Sequence, residues 1–449
     1  MLSDRSKILT ESIKRLLRRN ALSHLRKIVN KTHAADLSAV FPSLSFSNQY
    51  KLFGMIEDID QKGVLFSELD EDTLLNFIER TEIDETVEII ENMAADDVAD
   101  LIGKLPEEKA NAILEKMEKG SEEVEGLLHY GDDTAGGIMV PDFIALKENT
   151  TAREAIESLQ KEYADVEMPF YLYVVDKYGK LTGVCSLRQL VVIPPATPLK
   201  SFMSTDVFSV QTDMDQEEVA KLVARYDILA VPVVNPMNEL VGIVTVDDVI
   251  DIFRKEATED FLKMAGAGQE FVETKSILKS MRIRLPWLFA SCLGGIFAFF
   301  VIGQFEEGLK KFAYLAAFIP VIMGMGGNIG TQSSTIVVRG LATGLLNIRD
   351  IWSVVIKEFA IGFSLGIFYG TLIALVAQVQ YNTIQLGLSV GLAVVCSMSV
   401  AALVGSLVPM IFARINIDPA VATGPFVTTS IDIISVFFYF KIATFLLKI

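Results

Sequence analysis

Along residues 34–128 apolar positions recur at helical spacing and in a repeating frame. Ala34-Ala35-Asp36-Leu37, Val40, Phe41 and Leu44 lie over Ala95-Asp96-Asp97-Val98, Leu101, Ile102 and Leu105. Leu74, Phe77, Ile78, Ile89 and Ile90 repeat the frame at a shift of 24 from Val98, Leu101, Ile102, Ile113 and Leu114. Such units bury an apolar face only by stacking on a neighbour, so residues 1–130 are predicted to form an α-solenoid.

Residues 138–256 hold a different duplication. An alternating apolar run, a helix, a strand and a Gly-led strand fall at 143–146, 152–159, 171–175 and 183–189, and again at 207–210, 217–224, 230–234 and 242–248. Two such β-α-β-β-α units, 131–200 and 201–253, pair into one α+β domain. A charged connecting helix over 254–284 is interrupted at Ala265-Gly266-Ala267-Gly268 and ends at Pro286-Trp287, an interfacial aromatic. Five apolar stretches then follow at about 285–305, 312–338, 352–379, 385–413 and 420–447, each long enough to cross a bilayer. The chain thus reads as multidomain, with a five-helix all-α transmembrane domain over 285–449.

Composition sharpens this picture. Hydrophobic residues make up 51% of the 449, more than a soluble protein needs, so part of the chain belongs in lipid. Residues 1–280 carry a net charge of −21 and 281–449 one of +4. An acidic soluble half repels nucleic acid and anionic lipid, which leaves cations as its natural small partners. The basic N-terminus (Lys7, Lys14, Arg15, Arg18, Arg19) has no apolar signal region behind it, so the soluble half is expected in the cytoplasm. Five spans of an inner-membrane protein then place the C-terminus outside. Lys275, Lys279, Arg282, Arg284, Arg339, Arg349, Lys357 and Arg414 fall on the cytoplasmic side, as the positive-inside rule asks. Cys185, Cys292 and Cys396 show no paired spacing and read as small core residues.

The candidate chemistry lies in two places. Asp432 is a lone carboxylate near the middle of the last apolar stretch, where a charge costs about 2.5–3.5 kcal/mol and marks an ion path by default. Its bland alternative is a tie to Thr428 or Thr429. Asp418, before Pro419, is either a pore-mouth ligand or a helix cap. In the second stretch Pro320, Gly324, Gly326, Gly327, Asn328, Gly330, Thr331, Gln332, Ser333 and Ser334 are expected to break the helix, which lipid tolerates only beside a cavity or inside protein. Close helix packing is the lesser alternative for the glycines, and the amides of Asn328 and Gln332 fit it poorly. Mg²⁺ is held by one or two carboxylates with neutral oxygens, and one Asp432 per subunit of a two-fold dimer supplies them. No P-loop is present, so transport runs downhill. A divalent cation gains about 4.6 kcal/mol per 100 mV, and stopping the flow becomes the harder task.

The acidic half answers that need. Its carboxylates gather at Asp96, Asp97 and Asp100, at Asp213, Asp215, Glu217, Asp227, Asp247, Asp248 and Asp251, and at Glu256, Glu259 and Asp260. Cations bridging them would draw the domains together and press the connecting helix on the pore. The Asp58–Gly63 stretch imitates a calcium loop, but Lys62 and Leu69 stand at ligand positions, and His24, His33 and His129 show no ligand spacing.

These residues resemble the MgtE magnesium channels over nearly the whole chain. The resemblance rests on Asp132-Asp133-Thr134-Ala135-Gly136-Gly137-Ile138-Met139, Val244-Thr245-Val246-Asp247-Asp248-Val249, Glu256-Ala257-Thr258-Glu259-Asp260, Gly326-Gly327-Asn328-Ile329-Gly330-Thr331-Gln332, and Asp418-Pro419-Ala420 with Asp432. It implies a symmetric homodimer in a lipid bilayer, with a superhelical N-terminal domain, a tandem CBS domain, a plug helix at 254–284 and a pore at the dimer axis between the second and fifth spans. Asp432 matches the pore Mg²⁺ ligand and Ala420 adjoins the ion path. Asp215, Glu217, Asp227, Asp248, Asp251, Glu256, Glu259 and Asp260 match regulatory Mg²⁺ positions, with Asp96 and Asp100 as counterparts in the N-terminal domain. ATP is implied at Tyr171 and Arg188, but Gln189 stands where the family has Asp and Ile228 replaces an aromatic. The expected function is a passive, non-enzymatic Mg²⁺ channel closed by Mg²⁺. A membrane-anchored divalent-cation sensor and a Mg²⁺ exporter are the alternatives, the exporter disfavoured because one carboxylate per subunit leaves little for a coupling ion.

Overall fold

The computed structural model describes residues 2–161, 170–266 and 277–448, in two compact units, Met1–Arg254 and Lys255–Ile449. The first unit opens with short helices: α1 (Leu2–Arg18), α2 (Leu22–Val29), α3 (Ala34–Ser38), α4 (Phe46–Phe53), α5 (Ile59–Ser67), α6 (Glu71–Arg80), α7 (Ile83–Ile90), α8 (Ala95–Lys104), α9 (Glu107–Leu114) and α10 (Ser121–Leu127). Asp58 and Asp70 cap α5 and α6 by accepting backbone N–H bonds at 3.1 Å, so the imitation calcium loop is a helix start. The stacked apolar faces are buried at Leu37, Phe53, Phe66, Phe77, Ile90, Val98 and Ile113.

The duplicated half folds as β1 (Ala145–Lys147), α11 (Ala152–Lys161), β2 (Tyr171–Val175), β3 (Leu181–Ser186) and α12 (Leu187–Val192). Its copy is β4 (Val210–Gln211), α13 (Gln216–Tyr226), β5 (Ala230–Val234), β6 (Leu240–Thr245) and α14 (Val246–Met264). Each copy is a three-stranded sheet with one parallel and one antiparallel pair, registered Tyr171↔Ser186 in the first and Ala230↔Thr245 in the second. The duplication extends to the close contacts. A Cβ on Gly183 would meet Met203 Sδ at 2.6 Å, and one on Gly242 would meet Met139 Sδ at 2.6 Å, which explains the glycine that leads each strand. The copies also exchange segments: Val140 pairs with Ile243 of the second sheet, and Ser204 with Val184 of the first.

The second unit holds α15 (Ile277–Gly303), α16 (Glu306–Lys311), α17 (Ile319–Ala342), α18 (Ile351–Tyr381), α19 (Ile384–Arg414), α20 (Pro419–Thr423) and α21 (Pro425–Leu447). Among the described residues, five of its helical segments are long and apolar enough to cross a membrane. The first begins earlier than expected: α15 runs straight through Pro286, which lies inside it rather than at a boundary. Residues 267–276, including part of the expected glycine interruption, fall outside the described residues. The core gathers around α19, with Val390, Ala393, Val394, Ala401 and Ala402 buried against α17, α18 and α21, while α18 turns large apolar side chains outward. Cys292 is exposed on α15 and is no core residue, unlike Cys185.

Candidate functional site

The expected break in the second span does not occur: α17 is continuous through its glycine cluster. Gly326 and Gly330 instead let neighbours approach. A Cβ on Gly326 would meet Ser397 Oγ at 2.5 Å, and one on Gly330 would run into Ile431 of α21. Pro320 falls in the first turn, where its missing N–H costs nothing. The opposite face of the same helix is polar. Asn328, Thr331, Gln332, Thr335 and Arg339 are exposed at spacings of three and four, one stripe along a candidate span that the chain itself leaves uncovered.

Asp432 lies at the start of the third turn of α21, about 10 Å along the helix at 1.5 Å per residue, rather than near its middle. The reason is local: α20 and the bend at Gly424 take residues 419–424 out of the span. Asp432 is partly exposed and, among the described residues, has no hydrogen-bond or ion-pair partner. The Thr428 hydroxyl is turned to the Gly424 and Pro425 carbonyls, 3.3 Å from each, so that tie to Asp432 is not made. Asp418 caps α20, accepting from Ala420 N–H at 2.8 Å, while the buried Ala420 accepts at its carbonyl from Thr423 Oγ1 at 2.8 Å. Helix capping is therefore realised at Asp418, together with an ion pair to Lys263 at 2.6 Å.

Sequence reasoning passed over Glu358. It lies in the third turn of α18, is 5% exposed, and accepts a hydrogen bond from Ser333 Oγ of α17 at 2.8 Å. A carboxylate inside an apolar run as long as Ile351–Tyr381 was the available signal. Asp432 is thus not the lone carboxylate of the spans, and the premise that disfavoured a coupled exporter fails. The neighbouring Ser334 Oγ is buried without a partner.

In the first unit, Asp96 and Asp97 of α8 come within electrostatic range of Asp248 and Asp251 at the start of α14. Burial, then the charges of Asp97 and Asp248, pushes the Asp96 pKa up to about 8, and its Oδ1 is buried with no partner. Burial raises Asp97 too, and lifts Asp248 to about 6 against the hydrogen bonds it accepts from Thr245. Four acids thus crowd one place. The other sensor candidates are engaged locally: Asp215 caps α13, accepting from Glu217 N–H at 2.8 Å, and Glu217 pairs with Lys221 at 2.9 Å. Asp227 ends α13 at φ 51°, Glu259 pairs with Lys263, and Asp100, Glu256 and Asp260 also have partners, while Asp251 of the crowded four pairs with Arg254 at 3.2 Å. Among the described residues, no three acidic side chains gather closely enough to hold one ion.

Tyr171 lines a cavity of about 100 Å³ with Tyr173, Val184, Phe208 and Ile228, beside a Phe208–Tyr226 stack at 3.8 Å. That volume is far below the ~300–1,000 Å³ of a drug-sized ligand site. Arg188 is exposed and is not part of the lining. Gln189 Oε1 accepts from the Ser186 N–H at 2.8 Å, so this amide is committed to capping α12.

Residues 32–133 match the MgtE intracellular N domain, 135–194 and 199–255 the CBS domain, and 319–442 the MgtE divalent cation transporter. The chain is 34% identical over 432 residues to the magnesium transporter MgtE of Bacillus subtilis, covering 96% of this chain and 95% of the relative. The chain belongs to the MgtE family. The Thermus thermophilus MgtE is 34% identical over 448 residues, covering 98% and 99% of the two chains. Among solved structures, the cytosolic domain of the Mg²⁺ channel MgtE in complex with ATP matches with a TM-score of 0.52 at 34% identity, covering 54% of this chain and 99% of that one. MgtE membership thus takes in the solenoid, the CBS pair and the spans that carry Asn328 and Asp432.

Proposed function

We propose that this MgtE-family chain is a Mg²⁺ transporter that works as a homodimeric channel of the cell inner membrane, with its N-terminus in the cytoplasm and its C-terminus outside. The observation that carries the reading is Asp432: a carboxylate inside a membrane-crossing helix, partly exposed and without a partner, beside a helix whose polar stripe from Asn328 to Thr335 a single chain leaves bare. A charge and amides so placed need water or an ion, and a second copy across a two-fold axis provides the enclosed path. An apolar groove of about 310 Å³ lined by Leu229, Ile250 and Phe253, all three exposed, supports pairing of the soluble units as well.

The acidic unit supports regulation. Asp96, Asp97, Asp248 and Asp251 repel one another, and the orphaned Asp96 Oδ1 offers a hard cation an oxygen ligand. Mg²⁺ would bridge α8 and α14 there, shifting the population toward a closed state. The relatives are named as transporters, a non-enzymatic function. ATP binding at Tyr171 needs this cavity to open. Mg²⁺ uptake into liposomes under an inside-negative potential tests the pore: Asp432→Ala is expected to lower uptake at least about tenfold, the worth of ~1.4 kcal/mol, and undiminished uptake would remove Asp432 from the path.

A further inference from the structure

Lys263, near the C-terminal end of α14, carries a charge that the transport reading leaves unused. Its ammonium pairs with Asp418 Oδ2 at 2.6 Å and with Glu259 one turn back on its own helix. The three side chains are only 29%, 34% and 26% exposed, so water screens this group less than a surface ion pair. Asp418 is fixed in turn, because its other oxygen caps α20, which leads through Gly424 into α21.

The backbone meets at the same place. A Cβ on Gly424 would lie 3.6 Å from the Lys263 carbonyl oxygen, and one on Gly266 would lie 3.6 Å from Pro425 Cδ and from Trp287 Cβ. Beside this contact a cavity of about 480 Å³, lined by Leu262, Gly266, Arg284, Trp287, Ser291 and Pro425, leaves room for the end of α14 to move. An ion pair at a close-packed helix end next to empty space is an arrangement with two states, docked and released.

We propose that Lys263 is a tethered cation that latches the end of α14 to the N-cap of α20, the short helix leading into the one that carries Asp432, occupying carboxylates of Asp418 and Glu259 that an arriving divalent cation would otherwise engage. The docked ammonium both holds the helix end in place and repels cations at that mouth, so the latched state is the closed one. This inference rests on the Mg²⁺-gated reading above.

A double-mutant cycle in the full-length protein tests it. Lys263→Met and Asp418→Asn are each expected to raise the Mg²⁺ concentration that half-closes the liposome flux at least about threefold, with the double variant shifting it no further than either single. The charge swap Lys263→Glu with Asp418→Lys should recover part of the wild-type response. Independent, additive shifts, or a swap no better than the singles, would overturn the latch. The same cycle is read by thermal melting of the purified protein, where zero coupling between the two positions would overturn the latch whatever the flux does. Wild-type flux indifferent to Mg²⁺ would instead sink the gated reading, and with it the closing role given to Lys263.

Discussion

Asp96 in the soluble unit and Asp432 in the spans are both acids with an unsatisfied oxygen, but their neighbours differ. Asp96 is half-buried, with its Oδ1 fully so, among the like charges of Asp97 and Asp248, which destabilises the ionised cluster until something positive arrives. Asp432 has no ion-pair partner among the described residues, and the helix packed beside its own carries amides and hydroxyls from Asn328 to Thr335 on its exposed face. Crowded carboxylates respond to an ion by changing shape, which suits a sensor. One unpartnered carboxylate per chain, with Glu358 committed to Ser333, holds a hydrated ion loosely enough to release it, which suits a path.

The comparison can be broken most severely through the helix that supports the path. Gly330→Val would drive a side chain into Ile431 of α21 and separate α17 from the Asp432 helix, costing roughly 1–3 kcal/mol or more of packing. Folded protein recovered in detergent and its melting temperature should both drop sharply, and unchanged melting would mean that the two helices do not meet there.

A smaller effect belongs to the sensor. Asp96→Asn with Asp248→Asn removes the repulsion, so the metal-free protein should protect α8 and the start of α14 from hydrogen exchange better than wild type, and added Mg²⁺ should protect them little further. The pH dependence has a definite sign. Asp96 rises from 3.8 to about 8 in the folded state, so its contribution to stability is complete below pH 3.8 and is lost as pH climbs through about 8. Without divalent ions, exchange corrected for its intrinsic pH dependence should accelerate over that window in wild type and not in Asp96→Asn. The smallest effect is at Glu358: replacing it with Ala loses the Ser333 hydrogen bond, worth about 0.6–2 kcal/mol between membrane helices, while Gln retains much of it. Equal melting of the two variants would remove any role for that bond.

Much of this arrangement was legible in the residues. The two periodicities separated solenoid from α+β repeat because stacked helices and paired strands bury different spacings, and Gly183 and Gly242 marked matching places in the two copies. The continuity of α17 was not legible, because the same glycines serve a broken helix and a tightly packed one, and only Ser397 and Ile431 on neighbouring helices decide between them. Glu358 was missed for a related reason: near the end of a long apolar run, a carboxylate looks interfacial until its depth and the Ser333 hydroxyl are seen. The Ala-Asp-Asp frame pointed to Asp96, but its closeness to Asp248 is a tertiary fact across about 150 residues of sequence, beyond any local pattern.

The division of labour is tested most directly by measuring Mg²⁺ flux against free Mg²⁺ on the side of the soluble domain, for wild type and for a variant with Asp96, Asp97, Asp248 and Asp251 all replaced by Asn. Wild-type flux is predicted to fall as that concentration reaches the millimolar range, and the variant to conduct throughout. A variant that closes at the same concentration as wild type would contradict the assignment of sensing to these four acids.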